Sequence, residues 1–157
     1  MSLYDIDILA CSGQQAALLR RLADGERVND QVDWANVIEE IESVGREELR
    51  AVTSALKIGI QHKLYLLGWP NSTSVRHWQI EARIHLAEAQ QDFRESMRQN
   101  IDLAPIYRRA LLALERHMLD EPSPASPLPK ECPWTLDELL AEGAAAILSG
   151  GALQLRG

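Results

Sequence analysis

The sequence predicts an all-α fold, a single-domain helical bundle with one long central helix and a Pro-rich strap leading to a short C-terminal helix. Three observations carry the prediction. Apolar residues recur at spacings of three and four, with no stretch showing the strict alternation of a half-buried strand. Five of the seven prolines fall between Pro122 and Pro133, where missing N–H groups and a fixed φ oppose a helix and favour an extended strap. The 157 residues, 46% hydrophobic and 25% charged, suit one globular core and exclude disordered or disulfide-scaffold classes. The expected domain spans 1–148, with the strap at 122–133 and a flexible tail at 149–157.

The elements follow in order. The first helix starts with Asp5 or Asp7 as N-cap, turns Leu9, Ala16, Leu19 and Leu22 inward, and stops at Gly25. The second begins near Asp33 and runs to Leu67, about 52 Å at 1.5 Å per residue, ended by Gly68-Trp69-Pro70. Gly45 and Gly59 within it mark a bend or a close approach by a neighbouring helix. The third starts from Ser72 or Ser74 and fades near Asn100. The fourth, capped by Asp102 with Pro105 in its first turn, presents Ile106, Tyr107, Ala110, Leu111, Leu114 and Met118 up to Pro122. After the strap, Thr135-Leu136-Asp137-Glu138 is a capping box that opens the fifth helix.

Charge and cysteine usage narrow the function classes. A net charge of −7 repels phosphate backbones and anionic lipid, so neither nucleic acid nor membrane is an expected partner. Cys11 and Cys132 form no CxxC pair, and the acidic N-terminus lacks the basic and apolar regions of a signal peptide, so the cytoplasm is the expected compartment. The phosphate-binding loop, the nucleophile elbow, the His-Glu-x-x-His zinc motif and the dinucleotide fingerprint are all missing, and no cofactor is implied.

The long helix supplies the candidate site. With Ile41 at zero and 100° per residue, Trp34, Val37, Ile38, Val44, Val52, Ala55, Leu56, Leu66 and Leu67 fall within about 80° of it. Glu48 lands at about −20° on that core face, with His62 at about −60°. An enclosed carboxylate must be paired or shifted in pKa, so Glu48 is expected to be buried against a cation. Glu40 and Glu47 border the same face. Fourteen helical residues separate Glu48 from His62 by about 21 Å, so any shared ion needs a second helix. His77, Glu81 and His85 share one side of the third helix by i, i+4 spacing and form a weaker metal candidate. The continuation of that side through Glu88, Asp92 and Glu95 reads instead as a solvated face.

Several segments carry a family likeness. Leu3-Tyr4-Asp5-Ile6-Asp7, Gln15-Ala16-Ala17-Leu18-Leu19-Arg20, Asp33 to Arg46 with its Glu39-Glu40-Ile41-Glu42-x-x-Gly45 block, and Glu131-Cys132-Pro133-Trp134-Thr135 resemble the bacterial Domain of Unknown Function 29 family over roughly residues 3 to 141. The resemblance implies a small bacterial all-helical protein without a settled activity. His62 matches a family histidine that usually opens a His-Leu-Leu-Lys segment; here Lys63-Leu64-Tyr65 follows it, without the usual lysine.

The preferred reading is a non-catalytic protein-interaction or regulatory module, with a protein partner or self-association as a homodimer. Trp34, Trp69, Trp78 and Trp134 are four large aromatics, and an exposed one is a natural anchor. The alternative is a metal-binding protein or enzyme using Glu48 with Glu40 or Glu47 and His62 or His85 in an inter-helix cleft.

Overall fold

Residues 3–117 and 123–154 are described by the structure, a computed structural model. They form α1 (Leu3–Ile6), α2 (Ile8–Ala23), a 3-10 turn (Asn29–Gln31), α3 (Trp34–Gly68), α4 (Val75–Asp92), a second 3-10 segment (Glu95–Asn100), α5 (Leu103–His117) and α6 (Leu136–Gln154). No strand occurs among the described residues, and the all-helical prediction stands. Met118 and Pro122 lie outside the described residues.

Local chemistry sets the ends. Asp7 caps α2, its side chain accepting from the Ala10 N–H at 2.9 Å. The helix closes in a Schellman arrangement: Gly25, at φ 88°, donates to Leu22 and Glu26 donates to Arg21. Asp33 accepts from the N–H of Asn36 at the start of α3, and Gln15 accepts from the N–H of Asp33. Asp102 accepts from the Ala104 N–H at 3.0 Å ahead of α5. The Thr135–Glu138 box is reciprocal: the Thr135 N–H donates to Glu138 Oε2 at 2.7 Å and the Glu138 N–H to Thr135 Oγ1 at 3.2 Å.

Two expected boundaries move. The third helix stops at Asp92 because Phe93 turns extended, with ψ 136°, and the chain reaches Asn100 through 3-10 turns. The last helix is 19 residues long, not short, and continues through positions 149–154 that the composition suggests as tail. Gly143 lets it lie tightly on α4. The strap is pinned at two points, by the Tyr107 hydroxyl donating to the Pro129 carbonyl at 2.6 Å and by the Ala125 N–H donating to Gly68 at 2.7 Å.

By its internal packing the chain divides into two compact units, Met1–Glu47 and Glu48–Gly157. The N-terminal unit has a small core of Leu18, Val28 and Val32, with Leu19, Leu22 and Val37 packed on it. In the C-terminal unit Val52, Leu56, Ile60 and Leu64 of α3 pack with Trp78, Leu86 and Ala89 of α4, Ile106, Tyr107, Ala110 and Leu114 of α5, and Leu139 of α6. Leu86 is its tightest point. A Cβ on Gly59 would stand 2.7 Å from the Leu86 Cδ2, and a Cβ on Gly143 would overlap the Leu86 carbonyl. Glycine at these two positions is what allows α3 and α6 to approach α4. Gly45, by contrast, has nothing within 4 Å of a Cβ position, and α3 runs through it unbroken.

The predicted core face of α3 is enclosed over only half its length. Val52, Ala55 and Leu56 are buried, but Trp34, Ile38, Ile41 and Val44 are 42%, 52%, 69% and 63% exposed, and Leu67 is also open. Glu48 corrects the central expectation: it is exposed, and no charged side chain among the described residues is buried. Helical periodicity tells which residues share a face, not whether anything covers that face. Leu9 differs in the same way, being 81% exposed while Cys11 and Leu18, seven residues apart, turn inward.

Candidate functional site

Within the N-terminal unit, α1, α2 and the first turns of α3 enclose a groove of about 190 Å³. Ile8, Cys11, Ala16 and Leu19 line it from α2, with Val37 and Ile41 from α3. The amphipathic α2 buries Cys11 and Leu18, and the α3 register sets Val37 against the small core while leaving Ile41 at the rim. Beside the groove, Ile38 and Val44 continue the exposed stripe of α3, and Ile6, Ile8 and Leu9 are 67%, 49% and 81% exposed. Seven large apolar residues thus stand open within the first 47 positions.

The polar groups sit at the edge. Tyr4 donates to Glu40 Oε1 at 2.6 Å, tying α1 to α3, and this bond, the largest cause, holds the Tyr4 hydroxyl above its ordinary pKa. Glu40 therefore anchors the groove wall through a neutral phenol. Trp34, the most exposed of the tryptophans, donates its indole N–H to the Asn29 carbonyl at 3.0 Å. Trp69 and Trp78 are core residues, and Trp134 is half-buried beneath the Lys63 ammonium at 4.7 Å. Arg46 is engaged by Glu39 at 2.5 Å and Glu42 at 3.7 Å.

The other sequence candidates fall elsewhere. Glu47 and Glu48 are exposed on α3. His62, one end of the long-helix candidate set, lies in the C-terminal unit and meets α4: its ring is 6.2 Å from that of His85, nearly parallel, and 6.3 Å from that of His77. His62 Nδ1 donates to the Ile58 carbonyl at 3.0 Å, leaving Nε2 as the lone-pair nitrogen. Burial, the largest cause, lowers the His62 pKa against the opposing Ile58 bond and the charge of Glu81. His85 Nδ1 lies 2.8 Å from Glu88 and Nε2 lies 3.5 Å from Glu81. The His77, Glu81, His85 side of α4 therefore meets α3 through His77 and His85, and Glu81 and His85 are part-buried rather than wholly solvated. Among the described residues, no three His, Cys, Asp or Glu side chains stand so as to hold a metal ion. Cys11 and Cys132 are free thiols, the latter kept protonated by burial. No helix among them is long and apolar enough to cross a membrane.

Sequence reasoning missed Tyr4 and the openness of the Trp34, Ile38, Ile41, Val44 stripe. A signal existed: Tyr4 and Glu40 both belong to family-marking segments, though 36 positions apart.

No curated protein matches the chain. Among solved structures, an alpha-helical protein of unknown function from Rhodospirillum rubrum superposes with a TM-score of 0.68 and 24% identity, over 95% of this chain and 98% of that one. That likeness shows the fold. Residues 3–144 match the profile of the domain of unknown function DUF29, and both partners of the Tyr4–Glu40 clasp lie within the matched stretch. The chain belongs to the DUF29 family.

Proposed function

We propose that this protein is a protein-interaction module whose working surface is the apolar face and groove of its N-terminal unit. The observation that carries the reading is the concentration of seven exposed large apolar side chains within residues 3–47, beside a groove lined from α1, α2 and α3. A buried core would explain such residues only if they were covered, and they are not. Scattered exposed hydrophobics need no explanation, but a continuous stripe through Ile38, Ile41 and Val44 flanking a groove is the signature of a surface that another chain covers. The groove is also smaller than the roughly 300–1,000 Å³ usual for small-molecule sites, and suits one apolar anchor side chain.

The experiment is site-specific photo-crosslinking in cells, with a photoreactive phenylalanine analogue at Ile41 and, as a control, at Leu112, which is 58% exposed on α5. Discrete protein adducts from position 41 and none from position 112 are expected. Absence of adducts from 41, or equal adducts from both, overturns the reading.

A further inference from the structure

The charge around the groove says what kind of chain covers it. Residues 3–47 carry ten acidic and four basic side chains, a formal net charge of −6 out of −7 for the whole protein. Glu40 stands in the groove wall and Glu39 and Glu42 on the same stretch of α3, while the one basic residue there, Arg46, is already held by Glu39 and Glu42. Over residues 36–47 four carboxylates stand against the single Arg46, so this stretch of the apolar face keeps a negative formal charge.

Shape and charge together restrict the occupant. Trp34, Ile38 and Ile41 stand at i, i+4 and i+7, the seam spacing of a helix that packs against a second helix, and Val44 lies one residue before the next seam position. The adjoining groove accepts one anchoring side chain. A second copy of this chain would bring two faces of like charge together, and anionic lipid or nucleic acid would be repelled. We infer that the occupant of this face is a cationic amphipathic helix of another protein, with apolar residues at i, i+3 or i+4, and i+7, and Lys or Arg on its flanks. The inference rests on the interaction reading and names the partner's chemistry.

The test titrates the full chain against a synthetic helical peptide carrying leucine at those spacings and lysine or arginine elsewhere. Beside it runs a peptide with the same leucines and glutamate at every cationic position; anisotropy reads the binding. The cationic peptide is expected to bind at least about tenfold tighter, and to weaken as salt rises from roughly 50 to roughly 500 mM. Ile41→Ser should weaken it by about tenfold, whereas Leu112→Ser leaves it unchanged. Equal binding of the two peptides, or cationic binding indifferent to Ile41→Ser, overturns the inference. A dimer by light scattering that Ile41→Ser dissolves also overturns it, replacing the partner by a second copy while leaving the interaction reading intact. Missing crosslinks from position 41 in cells strike the interaction reading itself, whatever the peptides do.

Discussion

Gly143→Ala is expected to destabilise the protein by about 2–3 kcal/mol, measured by urea unfolding, although alanine favours a helix by about 1 kcal/mol. The added methyl would overlap the Leu86 carbonyl oxygen, stand 2.6 Å from its carbon and lie 3.0 Å from the Gln90 Cβ. A backbone carbonyl inside α4 cannot swing away as a side chain does, so relief requires α6 to retreat along the contact. That retreat opens the packing around Leu139, which is fully buried. A variant as stable as the parent would mean that α6 is not seated on α4 at this glycine.

Leu86→Ala should cost about 3 kcal/mol, since Leu86 is 1% exposed and touches both close-approach points. The sharper expectation concerns its coupling. Gly59→Ala sets a methyl against the Leu86 Cδ2 and Cγ, atoms that leave with the leucine side chain. In the Leu86→Ala background the Gly59→Ala substitution should therefore turn from unfavourable to neutral or favourable, a coupling of about 1–2 kcal/mol. Gly143→Ala should show no such rescue, because its obstacle is the backbone that alanine retains. Additive losses for Gly59 and Leu86 would contradict the packing described.

These particulars show where a sequence is informative. The bounds of α3 were legible because each end carries a local signal, Asp33 at the start and Gly68-Trp69-Pro70 at the finish. The Thr135–Glu138 box and the Asp102 cap were legible for the same reason: each bond closes within three residues. Helical spacing gives the face of Glu48 but not its environment, because the angle of a residue on a helix carries no record of what packs there. The clasp between Tyr4 and Glu40 and the stacking of His62 on His85 span 36 and 23 positions, and no spacing rule within one helix reaches them. The same limit hid the groove. Its apolar residues have core-like periodicity, and only coordinates show that Ile41 and Val44 are left in water while Val52, on the same stripe, is sealed.

The unfolding free energy of Ile41→Ser measures that difference most directly. With Ile41 at 69% exposure, the substitution should change stability by no more than about 0.5 kcal/mol. Val52→Ser, at a site with 0% exposure, should lose about 2–3 kcal/mol. An Ile41→Ser loss as large as that of Val52→Ser would show the stripe to be interior packing, leaving no open face for a partner.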